Sequence, residues 1–326
     1  MDYLFLLLGL IVLIVGGEFL VKGAVGCSAI FKISPLVIGM TVVSFGTSAP
    51  ELLVSLQSAM AGNPGIAVGN VIGSNIANIS LVLGITVLIF PIIASRQTKR
   101  IDYTMMLLAS FLFYFFAWDN VIERYEGIIL LVILILFTYF LVYNSRKQTK
   151  RDLAYASDDH EISSVLKTPI WKSTVFLLIG LVALYFGSDW FVSGAVGIAE
   201  ILLEGNPDKD SIIGVTVVAL GTSAPELVAS IVAAVRKQSD ISIGNLIGSN
   251  IFNVFAVLGI TAIVLPIEVT DQVLGFDMLW MLAILLLLIP IFLLGKQIGR
   301  FKGVILFTSY VAYVAVILMK IAGFFD

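Results

Sequence analysis

Six residues, Gly46-Thr47-Ser48-Ala49-Pro50-Glu51, recur unchanged as Gly221-Thr222-Ser223-Ala224-Pro225-Glu226, 175 positions later. Both copies stand inside long apolar runs. A proline in a helix interior costs about 3 kcal/mol or more. A carboxylate at a bilayer centre costs at least roughly 2.5–3.5 kcal/mol on insertion scales. A chain that carries both burdens twice, at matching positions, needs a use for them, and cation binding is the use that fits an acid without a basic neighbour.

The chain has 326 residues, of which 59% are hydrophobic and 13% charged, with a mean hydropathy of +1.06. That is too apolar for a soluble domain of this size. The apolar segments run about 17–25 residues without strand-like alternation, so the class is an all-α integral membrane protein rather than a barrel. The single Cys27 rules out an intrachain disulfide and a cysteine-rich metal site. The single His160 leaves no material for a His-rich zinc centre or a catalytic triad. Met1-Asp2-Tyr3 carries no basic region and Glu18 interrupts the first apolar run, which predicts a retained first helix rather than a cleaved leader.

Ten spans are predicted: Tyr3–Val21, Ser34–Ala61, Ile66–Pro91, Tyr103–Trp118, Gly127–Tyr143, Ser173–Phe191, Ser211–Val235, Ile241–Pro266, Leu274–Leu294 and Val304–Met319. Of the 19 Lys and Arg residues, all but Arg124, Lys209 and Lys320 fall in one alternating set of loops. Positive charge stays on the cytoplasmic side, so both termini are expected outside. Residues 144–172, with Asp158-Asp159-His160-Glu161, form the longest polar stretch and read as a cytoplasmic linker between residues 1–143 and 173–326.

The two halves repeat. Ile38–Thr86 aligns without gaps on Ile213–Thr261, with 28 of 49 positions identical, and Gly23-Ala24-Val25-Gly26 returns as Gly194-Ala195-Val196-Gly197. Five spans per half is an odd number, so the halves must cross the membrane in opposite senses. Inverted repeats with interrupted helices at matching positions belong to alternating-access transporters, with the substrate near the midplane.

Helical spacing places Ser44, Thr47, Ser48 and Glu51 on one face, and Ala219, Thr222, Ser223 and Glu226 on the matching face of the seventh span. Pro50 cannot donate to the Gly46 carbonyl, nor Pro225 to that of Gly221, so each helix is expected to break there. Freed carbonyls must find a partner in the membrane, and a cation is one. The third and eighth spans add Asn70, Ser74 and Asn78, and Asn245, Ser249 and Asn253, at four-residue intervals. Gly69 and Gly73, like Gly244 and Gly248, provide small faces for close helix approach. Carboxylate, hydroxyl and carbonyl oxygens are hard donors, suited to Ca²⁺ or Na⁺ rather than Zn²⁺ or Cu⁺. Plainer readings compete at several positions. A lone Thr or Ser bonds back to the carbonyl four residues before it. Asn75 and Asn250, off the polar stripes, suit helix–helix bonding, and Glu18 and Asp189, near span ends, suit structural or water-facing roles.

At these residues the chain resembles the cation/calcium exchanger superfamily and, within it, the prokaryotic sodium/calcium exchangers. The G-T-S-x-P-E and G-N-x-I-G-S-N-I-x-N segments of both halves are similar to that family's two alpha-repeats. The resemblance implies ten helices in inverted repeat, with helices 2, 3, 7 and 8 around the ions and helices 1 and 6 sliding against them. It implies that Glu51 and Glu226 are carboxylates shared by Ca²⁺ and Na⁺. Thr47, Ser48, Thr222, Ser223, Ser74 and Ser249 would supply further oxygens to Na⁺, Ser44 and Ala219 backbone carbonyls, and Asn78 and Asn253 the remaining corners. Some potassium-dependent members carry Asp where this chain has Asn253, so the resemblance favours a K⁺-independent exchanger. Na⁺ and Ca²⁺ are then substrates, the lipid bilayer is the setting and the cell membrane the location. No resident cofactor, nucleic acid or obligate protein partner is called for, and no enzymatic activity. The alternatives are a proton-coupled Ca²⁺ antiporter, a passive cation channel and an intramembrane hydrolase, the last lacking the His or Asp pairs it would need.

Overall fold

The computed structural model describes residues 1–155, 169–204, 209–213, 219–295 and 297–323. Among the described residues, seven helices are long and apolar enough to cross a membrane: Asp2–Phe31, Pro64–Ile89, Arg124–Lys150, Ile170–Leu202, Ser239–Val264, Val273–Leu293 and Arg300–Ile321. The bent pair Pro35–Thr47 and Ala49–Met60 makes an eighth. Tyr103–Phe116 and Ala224–Val235 are shorter apolar helices that stand where the fourth and seventh spans are expected. His160 and its acidic neighbours lie outside the described residues. The helix that starts at Arg124 runs on to Tyr155, so the first part of the expected linker is helical.

The first helix extends ten residues past Val21, and the helix beginning at Ile170 continues well past Phe191. Close packing explains both extensions. A Cβ on Gly9 would strike the backbone of Phe191, on Gly16 that of Leu184, on Gly23 that of Leu177. From the other side, Gly180 abuts Leu20, Gly187 abuts Leu13 and Gly194 abuts Leu6. As one index climbs the other falls, so the opening helices of the two halves lie antiparallel along a glycine seam. The repeated Gly-Ala-Val-Gly segments sit in the extensions and grip the start of the opposite helix: Gly26 meets Ser173, and Gly197 meets Asp2.

Two small β contacts repeat the inversion. Val121–Ile122 pairs antiparallel with Ile267–Glu268, and Ile92 bridges Ile298. Ile92 and Ile267 are 175 positions apart, so the same clasp is built twice. The repeat also reaches further than the aligned segments. A wide helical turn, Thr98–Asp102, leads into Tyr103–Phe116, and another, Val273–Asp277, leads into Met278–Leu293. These turns match at the same offset, and each ends in aspartate.

Pro64–Ile89 and Ser239–Val264 form the centre, each with 78% of its most apolar window buried, against 33% for Asp2–Phe31 and 28% for Ile170–Leu202. The halves interlock there. A Cβ on Gly244 would meet the Leu36 carbonyl, and one on Gly248 would meet Met40 and the Ser44 hydroxyl. Beyond the helix's own nearby backbone, a Cβ on Gly69 or Gly73 would meet no described heavy atom within 4 Å. Residues 214–218, which align with the Gly39–Val43 stretch facing Gly244, are outside the described residues. The close approach expected of all four glycines is therefore seen for the second pair.

Candidate cation site

Both repeated hexapeptides break their helix at the serine. Ser48 has φ −86°, ψ 4°, and Ser223 has φ −86°, ψ 2°, leaving a 41° bend between Pro35–Thr47 and Ala49–Met60. Each proline then lies in the first turn of a new helix, where its missing N–H is no loss. Glu51 and Glu226 fall in that same first turn, at the positive end of a half-helix dipole. The preceding half-helices, Ser44–Thr47 and Ala219–Thr222, end their carbonyl-bearing, negative poles at the same breaks.

Both carboxylates are fully buried. Among the described residues neither oxygen of Glu51 has a hydrogen-bond partner, and Oε2 of Glu226 has none. Glu226 Oε1 accepts from Ser48 Oγ at 3.3 Å and from Ser249 Oγ at 3.4 Å, so the acid of one half meets the broken helix of the other. Thr47 Oγ1 lies 3.1 Å from Asn245 Oδ1 and 3.4 Å from Ser249 Oγ. It also donates back to the Ser44 carbonyl three residues before it at 3.4 Å, a longer bond than the four-residue back-bonds of Thr41, Thr86 and Thr261. Ser223 Oγ and both amide atoms of Asn78 are buried without a described partner. Asn253 uses Nδ2 on Asn75 Oδ1 at 3.2 Å and leaves Oδ1 unpaired. Ser74 is buried on Pro64–Ile76, as its repeat counterpart Ser249 is on Ser239–Phe252. Thr222 is half-buried at the second break.

Two expected carbonyl ligands are engaged within the protein. The Ser44 carbonyl accepts from the Ser48 amide at 2.9 Å, while the Ser44 hydroxyl donates to Gly39 O at 2.8 Å and lies 3.0 Å from Asn245 O. The Gly221 carbonyl, freed by Pro225, accepts from Ser188 Oγ at 2.6 Å. Ala219 opens its half-helix. Asn70 and Asn245, on the expected polar stripes, bond to two serines that the sequence did not single out. Asn70 Nδ2 donates to Ser55 Oγ at 2.9 Å and to Glu51 O at 3.1 Å; Asn245 Nδ2 donates to Ser230 Oγ at 3.2 Å. Ser55 and Ser230 each stand four residues after a glutamate in both copies of the repeat, and that identity was the available signal. Glu18 is ion-paired to Arg236 at 2.7 Å, and Asp189 is exposed.

An unpaired buried carboxylate is tolerable only when a proton or a cation balances it. Two of them stand at the breaks of two helices, one accepting from the Ser48 and Ser249 hydroxyls, and carboxylate and hydroxyl oxygens are donors that a hard cation takes. Against known proteins, the family model described as sodium/calcium exchanger protein matches residues 1–143 and 172–319. CaxA of Alkalimonas amylolytica is 38% identical over 95% of this chain and 96% of that protein. The sodium/calcium exchanger MaX1 of Methanosarcina acetivorans is 32% identical over 97% of this chain and 98% of its own. A structure of the sodium-calcium exchanger NCX_Mj soaked with Na⁺ and Sr²⁺ superposes with a TM-score of 0.80 at 32% identity, covering 96% of this chain and 97% of that one. Fold, paired broken helices and relatedness along nearly the full length agree: the chain belongs to the sodium/calcium exchanger family.

Proposed function

We propose that this protein exchanges Na⁺ for Ca²⁺ across the cell membrane by alternating access, through one site shared by both ions. The observation that carries the reading is the pair of fully buried carboxylates, Glu51 and Glu226, supplied by symmetry-related breaks and lacking any described basic partner. Two negative charges match one Ca²⁺. Thr47, Ser48, Thr222, Ser223, Ser74 and Ser249 offer neutral oxygens to Na⁺ without adding charge, and Asn78 and Asn253 close the remaining corners. Ser44 and Ala219 remain candidates for backbone ligation through their carbonyls.

Because position 253 is Asn rather than an acid, the site holds two formal charges, which favours a K⁺-independent cycle. When more than two Na⁺ replace one Ca²⁺, the cycle moves charge and responds to membrane potential. In this reading the ten spans divide into residues 1–143 and 173–326 around a cytoplasmic linker, with both termini outside.

The test is ⁴⁵Ca²⁺ uptake into proteoliposomes loaded with Na⁺, K⁺ or choline, with and without a pH gradient. Uptake that requires internal Na⁺ and proceeds without K⁺ is expected. Uptake that ignores Na⁺ and follows the pH gradient would replace the coupling ion by H⁺ and sink the Na⁺-driven reading.

A further inference from the structure

The amide of Asn253 has two ends, and a cation can use only its oxygen. What turns that oxygen toward the site is set two residues away. Asn75 Nδ2 lies 3.8 Å from Met281 Sδ, and a thioether sulfur is an acceptor with no proton to give. The NH₂ end of Asn75 therefore faces Met281, and its Oδ1 faces Asn253. Asn75 Oδ1 accepts from Asn253 Nδ2 at 3.2 Å. The Asn253 NH₂ is thereby committed, and Asn253 Oδ1 is left buried and unpaired among the described residues. Asn253 opens the wide turn Asn253–Leu258, which packs on Ala49–Met60, the helix that carries Glu51.

We infer that Asn75, held by Met281, is a positioning residue that fixes the Asn253 amide with its carbonyl oxygen toward the cation. Three helices thus take part in one orientation: Met278–Leu293, Pro64–Ile76 and the end of Ser239–Phe252. Asn75 is itself fully buried and, among the described residues, its side chain bonds to Met281 and Asn253 and to no carboxylate, so its action on the ion runs through Asn253. The repeat supplies the same three residue types at Met106, Asn250 and Asn78, and all three line one small gap. There the relay is not made. Asn250 Nδ2 turns to Leu246 O at 2.7 Å, leaving Asn250 Oδ1 and both amide atoms of Asn78 without described partners. The orientation of the two corner amides thus differs between the halves.

The inference rests on the reading of Asn253 as part of the cation site, and the test separates the two. Equilibrium binding of ⁴⁵Ca²⁺ is measured on the purified full-length protein in detergent, with Na⁺ replaced by choline and then added back. Wild-type protein that binds Ca²⁺ displaceably by Na⁺ upholds the shared site; failure at this step overturns the exchanger reading together with this one. Asn75→Leu is expected to weaken Ca²⁺ binding about tenfold, the upper range for one lost hydrogen bond. In the Asn253→Asp background the same substitution is expected to change affinity less than about threefold, because both Asp oxygens are acceptors and no orientation is needed. A merely structural role for Asn75 would cost the same in both backgrounds, and that outcome, or an unchanged affinity in the Asn253 background, overturns the inference. If Asn75→Leu does not yield folded protein, Asn75→Ala and Met281→Leu take its place. Each is expected to weaken binding about threefold or more with Asn253 and to have no effect with Asp at that position; equal effects in both backgrounds, or none, reject the relay.

Discussion

Glu51 and Glu226 bring charge to a depth where solvent cannot compensate it, and their surroundings were chosen for oxygen, not for positive charge. Glu226 leans on the hydroxyls of Ser48 and Ser249, while the Glu51 carboxylate has no hydrogen-bond partner among the described residues. The two halves are therefore chemically alike and geometrically unlike around their acids. Removing one partner of a buried charge interaction costs roughly 3–5 kcal/mol, and about 1.4 kcal/mol is a factor of ten. Glu51→Gln or Glu226→Gln is thus expected to lower Ca²⁺ flux at least about 100-fold in proteoliposomes. The protein should still fold, since glutamine keeps the shape and removes an unbalanced charge; size-exclusion profiles check that. Near-wild-type Ca²⁺ flux in either variant would remove that glutamate from the site.

Broken helices work here because each break is also a joint. Pro35–Thr47 is wedged against Ser239–Phe252 by Gly244 and Gly248, which brings Thr47 to Asn245 and Ser249. Gly244→Val puts a branched side chain where the Leu36 carbonyl stands. Overpacking of this kind costs typically about 1–3 kcal/mol. The variant should unfold several degrees below wild type in a fluorescence-detected melt and lose exchange, because the half-helix carrying Thr47 and Ser48 is pushed off its partner. A melt and flux like wild type would mean the seam does not position the site. Much of this was legible in the sequence. The hexapeptide placed both breaks to within a turn, since a proline four residues after a glycine in an apolar run has few other uses. The polar stripes of Asn245, Ser249 and Asn253 located the facing helix. The break at Ser48 and Ser223 rather than at the glycine was not legible, because it depends on where the new helix finds its first turn. Neither was the Ser188 bond to Gly221, for it joins helices whose relative placement no local pattern encodes. The opposite halves contain Gly17 in place of Ser188 and Ala61 in place of Arg236, so tertiary contacts break a symmetry that sequence identity advertises.

Inversion is what lets one chain of this length serve two faces of a membrane. The antiparallel glycine seam pairs Asp2–Phe31 with its inverted copy Ile170–Leu202, and the β clasps at Ile92–Ile298 and Ile122–Ile267 are inverted copies of each other. A motion available to one half at one face is then available to the other half at the opposite face, and only differences between the halves can make the two faces unequal. The Glu18–Arg236 ion pair is one such difference, tying the first helix to the end of Ala224–Val235 with no counterpart residue at Ala61. The charge asymmetry of the loops predicts both termini outside, and that expectation has a direct test. With Cys27 replaced by serine the chain has no other cysteine, so single cysteines can be read one at a time. A cysteine at Glu123 is expected to react with a membrane-impermeant maleimide in intact cells, and one at Lys147 only after permeabilisation. The reverse pattern would place both termini in the cytoplasm and the Glu18–Arg236 pair on the outer face.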